Sequence, residues 1–202
     1  MSDKRFDVYI VGLGGQGILT IGDLLAHAAL TKDYKCNFYP TKGMSQRGGF
    51  VQGQLRIGHD STGASLPPKG ADLIVSMERS EALKGIRYIK DGADFLLFDS
   101  VWPTTQMLMG KADYPTLATV ESRIRAAGAN LITLNEDSLP VVDESKVRAN
   151  MFILGSLLKN TKLNTLFDYD EIVQISADFF KKGAKSNLAA LKAGYDAAVV
   201  RT

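Results

Sequence analysis

Asp7-Val8-Tyr9-Ile10-Val11-Gly12-Leu13-Gly14-Gly15-Gln16-Gly17-Ile18-Leu19-Thr20-Ile21 carries most of the architectural information in the chain. A short apolar run, Asp7 to Val11, reads as a buried strand. Gly12 to Gly17 then forms a tight glycine turn. From Ile18 to Leu30 apolar residues recur at Ile18, Ile21, Leu24, Leu25 and Ala28, the spacing of a helix face. Strand, glycine turn and helix in that order open an α/β unit. Gly12, Gly14 and Gly17 satisfy G-x-G-x-x-G. Glycines admit backbone angles closed to other residues, and the helix start that follows offers free N–H groups to a phosphate or carboxylate. Gly12, Gly14, Gly15, Gln16 and Gly17 are therefore candidate cofactor-binding residues. The bland alternative is a turn that only lets helix and strand pack closely. A dinucleotide site also expects an acid at the end of the second strand. That region reads Asn37-Phe38-Tyr39-Pro40-Thr41, and Asp33 lies before the strand, at the wrong end.

Outward from this unit the alternation continues. Cys36 to Tyr39 reads as a strand stopped by Pro40, and Phe50 to Ile57 as a strand with a bulge or close approach at Gly53. Ala71–Met77, Asp94–Phe98 and Leu131–Leu134 read as strands. Helices are expected over Glu81–Lys90 and from Tyr114 to about Ala127, the latter with Pro115 near its first turn and Gly128 as its stop. After Asp143 only helices are expected: Arg148–Lys159, Glu171–Phe180 and Ser186–Val200. The fold class is α/β, a mostly parallel Rossmann-like sheet flanked by helices with a helical C-terminal section. It is expected to form one domain over residues 1–202.

Composition narrows the function classes. The 202 residues are 45% hydrophobic and 23% charged, ordinary globular values, with a formal net charge of +2 and cations spread along the chain. With no basic block, nucleic acid is a poor partner. No apolar run approaches the roughly 18 residues of a membrane span, and Met1 to Arg5 leads into a strand without a signal-peptide core, so a cytoplasmic protein is expected. One cysteine, Cys36, cannot supply a disulfide or the thiolates of an iron–sulfur cluster, and His27 and His59 lack metal-ligand spacing. No metal site is expected. Cys36 reads as a packing residue, His27 as a packed or half-exposed helix residue and His59 as a solvated turn residue.

The second unusual stretch is Gly43-Met44-Ser45-Gln46-Arg47-Gly48-Gly49. Three glycines let a ligand or partner chain approach the backbone, and Arg47 could form a charge-assisted pair with a carboxylate or phosphate. The alternative is a surface loop with an ordinary salt bridge. Glu78 ends a strand on the edge of the sheet where α/β proteins place their sites, or else caps the next turn with Ser80. Asn150 either lines an interface or satisfies a backbone group at a helix start.

Gly12-x-Gly-Gly-Gln-Gly-Ile-Leu19, Gly43-Met-Ser-Gln-Arg-Gly-Gly49 and Ala71-Asp-Leu-Ile-Val-Ser-Met-Glu78 together resemble the gamma-type subunit of 2-oxoacid:ferredoxin oxidoreductases, most nearly the small subunit of the indolepyruvate kind. Tyr114-Pro115-Thr116-Leu117, Asn150, Leu154-Gly155 and Lys185-x-Asn187 extend the resemblance over nearly the whole chain. It implies a subunit of an enzyme that decarboxylates a 2-oxoacid on thiamine diphosphate and passes electrons through iron–sulfur clusters to ferredoxin, releasing an acyl-CoA. Thiamine diphosphate, magnesium and the clusters are implied on a large partner subunit, through which ferredoxin is reached. Coenzyme A is a candidate ligand here. This chain has no Gly-Asp-Gly with a following Asn pair, the metal–diphosphate signature of thiamine enzymes. Trp102-Pro103-Thr104-Thr105 falls where the family is expected to vary, so aryl pyruvates compete with branched-chain or simple 2-oxoacids as substrate. A self-contained nucleotide-binding oxidoreductase and a non-catalytic CoA- or phosphate-binding module are the other readings. The leading one requires residues 12–17 and 43–49 to meet at one rim of the sheet.

Overall fold

The computed structural model describes residues 5–43, 48–60, 63, 65–103, 105–142, 144–181 and 183–199. Strand β1 (Phe6–Leu13) runs through the Gly12 position and is buried throughout. Helix α1 (Ile18–Thr31) follows, then β2 (Cys36–Lys42), β3 (Phe50–Ile57), β4 (Ala71–Ser76), the single turn α2 (Ala82–Gly85) and β5 (Ile89–Asp99). Next come α3 (Thr105–Leu108), α4 (Leu117–Ala126), β6 (Asn130–Asn135) and the small hairpin β7 (Val141–Val142) and β8 (Ser145–Lys146). Helices α5 (Ala149–Asn160), α6 (Tyr169–Phe180) and α7 (Ala184–Asp196) close the chain.

The main sheet has the order β2-β3-β1-β4-β5-β6. β1, β4, β5 and β6 are parallel neighbours, while β3 runs antiparallel to both β1 and β2. The seven residues from Gly43 to Gly49 are too few for the crossover that parallel pairing would need, so β2 and β3 form a hairpin. That hairpin brings the second glycine segment to the same end of the sheet as the first.

Alternation within β1 divides the core. Val8 and Ile10 point to one face, where Ile21, Leu24 and Leu25 of α1 and Ile153, Leu154 and Leu157 of α5 are buried. Tyr9 and Val11 point to the other, with Phe95, Val120 and Ile124. A strand covered on both faces is apolar at every position, which is why Val8 to Val11 is a continuous run. Full burial of each such side chain contributes about 1.5–3 kcal/mol before its entropy is counted.

Three expectations need correction: the strand stop at Pro40, the helix over Glu81–Lys90, and the run of helices alone after Asp143, which β8 interrupts. Pro40 does not stop β2; it pairs with Gly53 within the strand. β2 lies at the sheet edge, where a residue without an N–H is tolerated. Gly53 marks a close approach and not a bulge: a Cβ there would lie 2.7 Å from the Phe38 ring, which also sits over Gly22. The helix expected over Glu81–Lys90 is only α2 and a following 3-10 turn, because β5 already begins at Ile89; the register then shifts beyond Ala71↔Ile89, near Gly92 at φ +71°. Pro115 precedes the cap of α4, which is Thr116, whose side chain accepts from the Thr119 amide. Gly128, at φ +87°, does follow the helix end. Among the described residues no helix is long and apolar enough to cross a membrane.

Candidate functional site

The two glycine segments meet. The Gly14 amide donates to the Gly49 carbonyl at 2.8 Å, and the Gly48 amide donates to the Gly14 carbonyl at 3.3 Å. The Gly43 amide donates to the Phe50 carbonyl at 2.7 Å and closes the β2–β3 hairpin behind them. Met44, Ser45, Gln46 and Arg47 lie outside the described residues.

Within the first segment the residues have distinct tasks. Gln16 accepts from the Leu13 amide at 2.8 Å and donates to the Met77 carbonyl at 2.6 Å, bolting the turn to the end of β4. Gly12 is needed for this, since a Cβ there would come 2.7 Å from the Gln16 side-chain oxygen and 2.8 Å from Ile18. Gly17 has φ +80°, and a Cβ on it would lie 2.5 Å from Asn150 Nδ2. Gly15, at φ +105°, is exposed and has open space around it. Asn150 is buried at the start of α5; its Oδ1 accepts from the Met151 amide and its Nδ2 faces the Gly17 carbonyl at 3.5 Å. Gly17→Ala is expected to cost roughly 2 kcal/mol, from left-handed backbone strain together with displacement of Asn150. Equilibrium urea unfolding measures it; a change below about 0.5 kcal/mol would contradict this packing.

A cavity of about 280 Å³ opens beside this turn. It sits outside the carboxyl ends of the parallel strands, the usual ligand edge of an α/β sheet. Gly15, Gln16 and Gly17 form one wall and Arg148, Ala149 and Asn150 another. Met77, Phe98, Ser100 and Trp102 supply strand-end residues, and Glu136 and Leu139 the remaining side. Neither Ser100 nor Arg148 belongs to a motif: each is an ordinary residue until the fold brings it here.

Glu78 is fully buried and is not among the residues that line the cavity. Its carboxylate accepts from Ser80 Oγ at 2.7 Å, from the Glu81 amide at 2.8 Å, from the Trp102 amide at 3.3 Å, and from the Tyr114 hydroxyl. It thus holds the turn after β4 and ties down the segment carrying Trp102. Burial, then the bond to Glu78, pushes the Tyr114 hydroxyl well above the usual phenol range, so it stays a donor. Arg79 reinforces the same segment through two bonds to Asp99, at 2.5 and 2.9 Å.

The remaining polar candidates lie elsewhere. His27 is exposed on α1. His59 is not a solvated turn residue: it is largely covered, 3.0 Å from Asp7, at the opposite end of β1. Burial pushes the Cys36 thiol up to about 11, the wrong direction for a nucleophile. Among the described residues, no group of three or more His, Cys, Asp or Glu could hold a metal ion.

The family model described as pyruvate ferredoxin/flavodoxin oxidoreductase matches residues 7–197. Indolepyruvate oxidoreductase subunit IorB of Thermococcus kodakarensis is 37% identical over 155 residues, covering 76% of this chain and 77% of that one. Its namesake in Pyrococcus horikoshii is 32% identical over 197 residues, covering 96% of each. The pyruvate oxidoreductase subunit PORC of Thermotoga maritima, 17% identical, superposes with a TM-score of 0.68 over 98% of this chain and 99% of its own, and so shares the fold.

Proposed function

Because the chain belongs to the pyruvate ferredoxin/flavodoxin oxidoreductase family, we propose that its glycine-lined rim is the face it turns toward a catalytic partner. The chain is the small, gamma-type subunit of a 2-oxoacid:ferredoxin oxidoreductase and acts as part of that enzyme complex. In the reading advanced here, a large subunit carries thiamine diphosphate, magnesium and iron–sulfur clusters and passes electrons to ferredoxin. The substrate is an aryl pyruvate of the indolepyruvate class, as the names of its relatives suggest. Residues 1–202 work as one cytoplasmic domain, inactive alone.

One observation carries this reading: the hydrogen bonds between Gly14 and the Gly48–Gly49 backbone, which join the first family motif to the end of the second. A rim of backbone glycines lets another chain, or the acyl-accepting coenzyme A, come close without side-chain obstruction. Gly12 and Gln16 shape that rim from behind, while Gly15, Gly43, Gly48 and Gly49 present backbone at it, and Arg47 would contribute the charge. Coenzyme A fits the rim's character, since exposed amides at a helix start suit its phosphates. Glu78 acts in this scheme by holding the rim's neighbour segment. The self-contained dehydrogenase reading finds no support, because β2 ends in Pro40-Thr41-Lys42 with no acid to bind a ribose.

The test is reconstitution. The chain alone, and the chain co-expressed with its large subunit, are assayed for 2-oxoacid- and CoA-dependent dye reduction. Activity is expected only in the complex, with indolepyruvate or phenylpyruvate preferred over pyruvate, and Arg47→Ala is expected to weaken assembly by about tenfold. Turnover by the lone chain would overturn the reading.

A further inference from the structure

The cavity beside the glycine turn is chemically two-sided. Both α1, of 14 residues, and α5, of 12, begin on it. The N-cap residues Gly17 and Arg148 make no side-chain cap and neither helix has an acid in its first turn, although at α5 Asn150 Oδ1 already takes the Met151 amide. The first amides of a helix lack intrahelical acceptors and carry partial positive charge, so two such starts favour an anion. Arg148, the exposed N-cap of α5, adds a full charge and has no ion-pair partner among the described residues.

A second observation points to a ligand independently. Ser100, only 2% exposed, belongs to the cavity wall, and its Oγ is buried with no hydrogen-bond partner among the described residues. A buried hydroxyl left unpaired is costly, and on a cavity wall its missing partner is a water or a bound molecule.

The other side is apolar. Met77 and Phe98 are buried beneath it, and Trp102 stands at its edge, half-exposed and anchored by its backbone to Glu78. A volume of about 280 Å³ lies at the lower end for ligand pockets and suits a small molecule. Glu136, also on the wall, would repel a second negative group, which disfavours a diphosphate inside the cavity; a coenzyme approaching the glycine rim would keep its phosphates outside it.

We propose that this chain itself binds a small aromatic monocarboxylate in this cavity, with the carboxylate between Arg148, Ser100 and the start of α5 and the ring against Trp102. The inference deepens the aryl-pyruvate reading above by assigning the small subunit a site for that class of acid, whether arriving substrate or a regulating analogue.

Trp102 is the chain's one tryptophan, so intrinsic fluorescence reports the site directly. The full-length chain is titrated with phenylacetate, which has no 2-oxo group to react, and with benzyl alcohol, acetate and ADP. Saturable change with phenylacetate is expected, with benzyl alcohol and acetate each at least about tenfold weaker. Arg148→Met should weaken phenylacetate about tenfold while Arg148→Lys retains part of the affinity. Ser100→Ala should weaken it about fivefold without lowering the melting temperature of the unliganded chain. The proposal is overturned if phenylacetate fails to saturate, if ADP binds more tightly, or if Arg148→Met and Ser100→Ala both bind phenylacetate unchanged. The two readings fail separately: a complex that prefers aliphatic 2-oxoacids would sink the substrate assignment and leave this binding intact, and the reverse outcome would do the opposite.

Discussion

Replacing Gly194 with alanine is expected to lower the unfolding free energy by roughly 2–4 kcal/mol, although alanine is the better helix former by about 1 kcal/mol. The reason is how α5 and α7 cross. A Cβ on Gly194 would fall inside the Phe152 carbonyl, 2.6 Å from its carbon, and one on Gly155 would lie 2.7 Å from the Tyr195 amide nitrogen and closer still to the Leu191 carbonyl oxygen. Each glycine presses on the other helix's backbone, which cannot rotate away as a side chain can. Room for a methyl group requires the two helices to separate, loosening Phe152, Leu191 and their neighbours in the core. Equilibrium urea unfolding of Gly194→Ala, Gly155→Ala and the double variant tests this. The double variant should cost less than the sum, because one separation relieves both clashes. A stabilised Gly194→Ala protein would show that the backbones do not meet there.

The second large effect is expected at Glu78. Glu78→Ala should cost roughly 2–4 kcal/mol, because it takes the acceptor from one buried and three half-buried donors at once. The groups left unpaired are Ser80 Oγ, the Glu81 and Trp102 amides and the Tyr114 hydroxyl. Tyr114→Phe, which removes one donor and leaves the others paired, should cost only about 1–2 kcal/mol. Urea unfolding gives both values, and Trp102 fluorescence in the folded Glu78→Ala protein should shift as its backbone anchor is lost. If Glu78→Ala proved no worse than Tyr114→Phe, Glu78 would not be the hub described.

The physical reach of the sequence was uneven. β1 was legible because a strand buried on both faces must be apolar throughout, and Gly17 because a left-handed turn before a helix favours glycine. β3 is legible in place, and its antiparallel direction follows from the ten residues left between Tyr39 and Phe50, already short of a crossover. The helix over Glu81–Lys90 failed because local periodicity cannot see β4, whose pairing draws Ile89 into β5. Glu78 was read with the turn-capping role open, and the structure adds the bonds to Trp102 and Tyr114, residues 24 and 36 positions away. The cavity was the least legible feature. Ser100 and Arg148 have no motif; what they share is a place at the sheet's carboxyl edge, which only the folded chain reveals.

Pro40 has a consequence for assembly. The outermost strand of a sheet is a template onto which another chain can zip, and proline, lacking an N–H, interrupts the ladder there. Prolonging the sheet past β2 into a second molecule would have to skip a rung. That discourages fibre-like self-association along this border and leaves lateral growth the poorer route to oligomers.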